Sequence, residues 1–144
     1  MTFEHVGWLV INILLPFFLP ILGILPFKIL PLPLGVEVRL IALAKDGQWC
    51  WAAIAMGASA LFEYLNASRE NFKTFPHSGS LLFLLSLMMF LAVGLAAGGA
   101  VFNTEYLRPP YSFKGWVTHY KTLIGSFIVS VLTALLSSIL HFVI

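Results

Sequence analysis

Four apolar runs, separated by short polar connectors, dominate the hydrophobic pattern of the chain. Residues 6–27, 81–102 and 122–144 contain no Asp, Glu, Lys or Arg, and residues 49–65 contain only Glu63. A helix that crosses a hydrocarbon core about 30 Å thick needs about 20 residues at about 1.5 Å each. The uncharged runs have 22, 22 and 23 residues, so each can span a bilayer, whereas the run of 17 must extend past its end or sit short.

The pattern predicts an all-α membrane protein, a bundle of four antiparallel transmembrane helices. Connectors of roughly 15 to 20 residues leave no room for a soluble domain, so residues 1–144 are expected to form a single integral membrane domain. Because the connectors are short, consecutive helices should be antiparallel neighbours. The expected spans are residues 6–27, 49–68, 80–102 and 120–142.

Composition supports a membrane location and excludes some other classes. The chain is 60% hydrophobic and 10% charged, whereas about 25% of the residues in a soluble domain are charged. The net charge of +2 comes with no Lys/Arg cluster, so no basic face for nucleic acid is expected. Cys50 is the only cysteine, which excludes an intrachain disulfide, a cysteine-based metal site and a redox dithiol.

The distribution of basic residues predicts the orientation. Lys and Arg are enriched in cytoplasmic loops. The first and third connectors carry three each and the middle connector two, so six against two places the first and third connectors in the cytoplasm and both termini outside. We expect a bacterial inner membrane. The residues counted are Lys28, Arg39 and Lys45, then Arg69 and Lys73, then Arg108, Lys114 and Lys121.

Prolines interrupt the first span. Pro16, Pro20 and Pro26 each remove a backbone hydrogen bond from a helix, so this span is expected to be kinked. The kink is either structural, giving the bundle its shape, or a hinge or cavity wall.

A short segment is expected between the first two spans. Residues 34–44 are apolar but interrupted by charge, which predicts a short interfacial or re-entrant helix; the alternative is an irregular loop on the headgroups. Asp46-Gly47 is a turn signal, so the next helix should begin close to Gln48.

Small residues recur at helical spacing in three of the spans. In lipid the hydrophobic effect gives helices little reason to associate, so small residues that permit close backbone approach indicate contact faces. They predict tight helix packing within the chain, with a homo-oligomer as the alternative use of the same faces. The helix-packing candidates are Gly57, the GxxxG pair Gly94 and Gly98, and Ser126, Ser130 and Ala134, with Ser138 continuing the last series.

An ionisable residue inside a span is costly and therefore a functional candidate. On the predicted topology, Glu63, His141 and Asn12 share a depth in the outer half of the membrane. Together they could relay protons or bind a cation. The alternative is that Glu63 and His141 reach headgroup water and that Asn12 only joins helices.

No catalytic signature is present: the chain lacks a GxxxxGK[ST] loop, a GxGxxG turn and an HExxH helix. We therefore expect no enzyme, no catalytic residue, no metal and no cofactor. The leading hypothesis is a small polytopic membrane protein that contacts lipid and binds another membrane-associated protein, as an accessory subunit or as an immunity factor against a membrane-inserting toxin. The alternative is a small oligomeric transporter or channel with a polar site around Glu63.

Overall fold

The computed structural model describes residues 3–22, 46–71, 78–101 and 112–143, and these are almost entirely helical. The expected segment at 34–44 and Pro26 lie outside the described residues. The elements are α1 (Phe3–Leu9), a π-helical segment (Val10–Leu14), α2 (Leu15–Leu22), α3 (Trp49–Asn71), α4 (Ser78–Val101), α5 (Phe113–His119) and α6 (Lys121–Val143).

Three stretches are long and apolar enough to cross a membrane: Phe3–Leu22, Gly79–Val101 and Lys121–Phe142. The predicted helical, membrane-compatible class is confirmed for the described residues. The count of four spans is not, because α3 is not among the three. Its many Ala, Gly and Ser residues and Glu63 make α3 less apolar than its neighbours.

α3 lies among the other helices of the bundle. α3, α4 and α6 pack against one another, and α3 and α6 share the most extensive contact. Cys50, Ala53, Ala92 and Val129 form one cluster of buried residues, while Ala60, Leu85 and Leu140 form a second. Small side chains on α3 let α4 and α6 approach its backbone closely, so the three helices can pack tightly. The same small side chains make α3 less apolar than its neighbours.

Contacts along the helices fix their directions. The Ser130 hydroxyl bonds to the Trp49 carbonyl, and the Ser137 hydroxyl lies near the Met56 carbonyl. Residue numbers rise together along the two helices, so α3 and α6 run parallel. Gly57 lies against Met89, whereas the turn before α3 lies against Leu95, so α4 runs antiparallel to α3. These directions agree with the up-and-down order predicted from the short connectors.

The buried stripe of α6 is mostly polar, and its residues are spaced alternately by four and three positions: Ser126, Ser130, Thr133, Ser137 and Leu140. Of the residues in the predicted series at every fourth position, Ser126 and Ser130 are buried, but Ala134 and Ser138 are only half-buried. Each step of four residues rotates about 40° around the helix, so a strict i+4 series leaves the contact face. Alternation of four and three keeps the stripe on one side.

The buried hydroxyls of α6 bond to backbone carbonyls. Ser130 Oγ lies 2.5 Å from the carbonyl oxygen of Trp49 and 2.9 Å from that of Ser126. Thr133 donates to the carbonyl of Val129 at 2.8 Å, and Ser137 makes a longer contact of 3.4 Å with that of Met56. These hydroxyl groups are therefore hydrogen-bonded, as an apolar environment requires.

A tight turn at 46–48 precedes α3, as the Asp46-Gly47 signal predicts. Gly47 has φ +82°, a left-handed conformation that favours glycine, and its carbonyl accepts the N–H of Cys50 at 2.9 Å. The turn lies on α4 at Gly99, where a β-carbon would overlap the carbonyl oxygen of Asp46. Gly99 thus permits the backbone contact between this turn and α4.

The GxxxG pair of α4 has no neighbouring helix among the described residues. A β-carbon on Gly94 or Gly98 would meet none of the described atoms within 4 Å, and Gly94 is exposed. α4 instead packs through a face that includes Leu85, Ala92 and Gly99. The helix contact predicted for Gly94 and Gly98 stays a prediction, because no described residue packs against them.

The N-terminal stretch, Phe3–Leu22, lies against the other helices without burying any of its residues. At one end Phe17 contacts the rings of Trp49 and Phe127 at centroid distances of 4.6 and 5.7 Å. The π-helical segment ends with the Leu15 N–H bonded to the Val10 carbonyl, directly before Pro16, which has no N–H to donate. A π-helical segment is one cause of helix bending, and the predicted kink stays a prediction.

Candidate functional site

Glu63 of α3 and His141 of α6 are in direct contact. Glu63 Oε1 lies 2.5 Å from His141 Nδ1, and the side chains are 30% and 16% exposed. Because α3 and α6 run parallel, residues 78 positions apart in the sequence reach the same level of the bundle. The Glu63 carboxylate therefore points across the helix contact rather than away from the bundle.

The N-terminal helix covers His141. The indole ring of Trp8 stacks on the imidazole ring at a centroid distance of 3.8 Å and an interplanar angle of 8°. His5 meets the same imidazole edge-on at 5.9 Å and the ring of Phe142 at 5.5 Å. Three helices thus contribute to the surroundings of one histidine.

Asn12 lies one helical turn away from this pair. Its Oδ1 accepts a hydrogen bond from Ser59 Oγ at 2.7 Å, and its Nδ2 donates to the Trp8 carbonyl at 3.2 Å. Ser59 precedes Glu63 by four residues on α3, as Trp8 precedes Asn12 on the N-terminal helix. The structure brings Glu63 and His141 together and places Asn12 in the adjacent layer, where it joins the N-terminal stretch to α3.

Sequence reasoning named Glu63, His141 and Asn12 but missed Trp8, His5 and Ser59. The signal for Ser59 and Trp8 was their four-residue spacing from Glu63 and Asn12, which places each pair on one helix face. His5 carries a weaker signal, because it lies only three residues before Trp8 at the start of the chain.

The second ring nitrogen gives the site its chemistry. His141 Nε2 is buried and has no hydrogen-bond partner among the described atoms. When Nδ1 donates to the Glu63 carboxylate, Nε2 carries the lone pair and is free to accept a proton. The described residues contain no group of three or more His, Cys, Asp or Glu side chains placed to hold a metal ion.

Comparison of the chain with protein-family models, with curated proteins and with solved structures found no match.

Proposed function

We propose that this protein is an integral membrane protein that acts by binding another membrane-associated protein. It would serve as an accessory subunit of a membrane complex or as an immunity factor against a membrane-inserting toxin. The observation that carries the proposal is the position of Gly94 and Gly98, which form a close-approach face on α4 that no described part of the chain occupies.

The physical argument rests on helix packing in lipid. Two glycines one turn apart let a second helix approach closely, and close packing drives helix association in lipid. Glycine also lowers helix stability by about 1 kcal/mol relative to alanine. On α4 the two glycines make no helix contact within the described chain that would offset this loss of helix stability. A partner helix on the same face would offset it. Exposed apolar side chains flank the two glycines: Phe90 at 75%, Val93 at 52% and Val101 at 74%.

The proposed topology completes this description. α3 would be the fourth span, enclosed by the three more apolar helices, with a proline-kinked first helix beside it. The distribution of basic residues favours a topology with the first and third connectors in the cytoplasm and both termini outside, in a bacterial inner membrane. Lipid and the partner protein are the proposed contacts, and a second copy of the chain is the alternative partner.

Purification from native membranes in mild detergent tests the proposal. The wild-type protein should retain a partner in fixed stoichiometry, and the double variant Gly94→Leu/Gly98→Leu should lose it while keeping its helical circular dichroism. Leu135→Phe on α6 is the matched control, because Leu135 is also exposed, at 55%, and lies on another helix. Retention of the same partner by the double variant would contradict the proposed face.

The second candidate function is a small transporter or channel with its polar site at Glu63. The contact between Glu63 and His141 favours it, because a carboxylate directed across a helix contact can take part in ion movement. Glu63→Gln should abolish pH-driven flux in proteoliposomes, and unchanged flux would remove Glu63 from the mechanism. Neither proposal assigns a catalytic residue, a metal or a cofactor.

A further inference from the structure

The short helix α5 has an apolar face that is exposed. Phe113, Trp116 and Val117 have exposed fractions of 81%, 42% and 36%, and spacings of three and four residues place them on one side of the helix. The Trp116 ring also contacts the ring of Tyr120 at a centroid distance of 5.1 Å, so the aromatic surface continues past the end of α5. A helix with such a face lies in the plane of a membrane surface when its opposite face is polar.

The opposite face of α5 is polar. At about 100° per residue, the side of the helix away from Phe113 carries Lys114, Gly115, Thr118 and His119. With Ser112 these residues line an open cavity of about 500 Å³. The Thr118 hydroxyl donates to the Lys114 carbonyl at 2.9 Å, so its hydrogen atom is used within the helix. The exposed Lys114 ammonium group therefore brings positive charge to this cavity.

The place of α5 in the chain is the start of a membrane-compatible helix. The apolar stretch of α6 begins at Lys121, two residues after α5 ends. Tyr120, between the two helices, has φ −100° and ψ 24°, which separates α5 from α6. Trp and Tyr side chains concentrate at the headgroup level of membranes. In a bilayer spanned by α6, α5 with Trp116 and Tyr120 is therefore at the level of the headgroups.

The charge at this end of the bundle is positive. Residues 112–143 contain Lys114 and Lys121, both exposed, and no Asp or Glu. The two connectors that lead to this end, residues 28–48 and 103–121, carry six Lys or Arg and three acids. The acids are Asp46, in the turn before α3, and Glu37 and Glu105, which lie outside the described residues. The basic excess complements the phosphate groups of anionic lipids.

From these observations we propose that α5 is an interfacial helix that binds anionic phospholipid. Its apolar face enters the boundary of the acyl chains, and Lys114 and Lys121 contact the lipid phosphates. A bilayer surface accommodates both faces of α5 at once, whereas a free phosphate ion would meet only the lysines. The proposal rests on the membrane location of the chain and on no protein partner or transported solute. Tests on the purified chain in vesicles therefore separate its failure from that of the proposed functions.

Spin labels in the full chain measure the position of α5. Cys50→Ala removes the native cysteine, and a nitroxide is attached to Val117→Cys on the apolar face or, as the matched control, to Thr118→Cys on the polar face. In vesicles of phosphatidylcholine and phosphatidylglycerol, the label at 117 should be more accessible to oxygen, which concentrates among acyl chains. The label at 118 should be more accessible to a water-soluble nickel complex. Equal access of the nickel complex to both labels would overturn the interfacial placement.

Lipid binding is measured on the chain with its native cysteine. Native mass spectrometry of the purified protein should show binding of phosphatidylglycerol in preference to phosphatidylcholine. Lys114→Gln and Lys121→Gln should each weaken phosphatidylglycerol binding by about fivefold, because each removes one attraction to an anionic headgroup. Lys114→Arg and Lys121→Arg are the matched controls and should retain the preference, since they keep the charge.

Three results of these binding experiments would overturn the proposal. One is a preference for phosphatidylglycerol that is unchanged in the double variant Lys114→Gln/Lys121→Gln. Another is displacement of the lipid by inorganic phosphate, which would make a free anion the occupant. The third comes from native membranes, where a benzophenone amino acid at position 113 should give lipid adducts. A protein adduct at that position would assign the apolar face of α5 to a protein instead of the bilayer.

Discussion

Gly99 and the pair Gly94 and Gly98 lie on the same helix but in opposite environments. Gly99 lies directly against the backbone of Asp46, where a β-carbon cannot be placed, whereas Gly94 and Gly98 have no described atom within 4 Å of that position. The sequence pattern singles out Gly94 and Gly98 by their GxxxG spacing and does not single out Gly99. The difference shows that glycine spacing predicts a surface capable of close approach but does not say which helix or turn approaches it.

The position of the turn before α3 decides which glycine is packed. Gly47 directs the chain onto α4, so the backbone contact falls at Leu95 and Gly99. Gly98 is about 100° around the helix from Gly99, and a single residue is enough to turn it away from that contact. The packed and open glycines can therefore be compared with alanine substitutions of identical chemistry.

The largest expected effect is that of Gly99→Ala. The added methyl group would overlap the Asp46 carbonyl, which belongs to the backbone of a tight turn, so the turn or α4 must shift. Overpacking of this kind typically costs about 1–3 kcal/mol, and we expect the upper end of that range. Unfolding by SDS in mixed micelles, followed by circular dichroism, measures the change. Gly98→Ala is the matched control, and an equal loss in the two variants would contradict the packing described.

Ser130→Ala should have a smaller effect. The variant loses the hydroxyl that bonds to the Trp49 carbonyl on the neighbouring helix, and such bonds average about 0.6 kcal/mol in membrane proteins, with a maximum of about 1.7 kcal/mol. We expect a loss of about 1 kcal/mol in the same unfolding assay. Ser138→Ala is the control, because its hydroxyl bonds at 2.8 Å within its own helix, to Ala134. If both substitutions cost the same, the interhelical bond adds no stability.

Gly57→Ala should cost less than Gly99→Ala, although Gly57 is buried and its β-carbon would meet Met89. Its β-carbon would lie 2.6 Å from Cγ of Met89, a flexible side chain that can move aside, unlike the backbone at Gly99. The higher helix propensity of alanine, worth up to about 1 kcal/mol, offsets the cost of that movement. A loss as large as that of Gly99→Ala would show that Met89 is held rigidly. The free energies of unfolding of the single variants Gly57→Ala and Met89→Ala and of the double variant give the coupling energy between the two positions.

Gly94→Ala and Gly98→Ala should leave the stability of the isolated chain unchanged or slightly raised. No described neighbour meets the new methyl groups, and alanine favours the helix. Unfolding of the purified protein by itself checks this expectation. Destabilisation of either variant by more than about 1 kcal/mol would indicate that the chain itself occupies this face.

Much of the helical framework was predictable from the sequence because apolar length and turn chemistry are local properties. The spans 80–102 and 120–142 differ from α4 and α6 by no more than two residues at either end, and the Gly47 turn directly precedes α3. The short α5 was missed, since its seven residues, which include Lys114 and His119, carry no long apolar run. The helices that pack against α3 could not be identified from any pattern within α3.

The shared depth of the candidate site residues could be predicted from the sequence, but the contacts between them could not. Counting residues along each span placed Glu63, His141 and Asn12 near one level. Whether they touch depends on the rotation of each helix, which is set by packing between helices. The same limitation applies to Trp8, whose stacking on His141 depends on the rotation of the N-terminal helix.

The central claim is that the open face of α4 binds a helix of another membrane protein. Photo-cross-linking in native membranes, with a benzophenone amino acid placed in turn at positions 90 to 101 of α4, tests it most directly. We predict one adduct of constant mass whose yield peaks beside the two glycines, at positions 90, 97 and 101, on one face of a helix with about 3.6 residues per turn. A benzophenone at position 94 or 98 should lower the yield, because its bulk prevents the close approach of the partner helix. A mass of twice the chain would identify a second copy as the partner. Equal yields around the helix, or lipid adducts alone at every position, would contradict the claim.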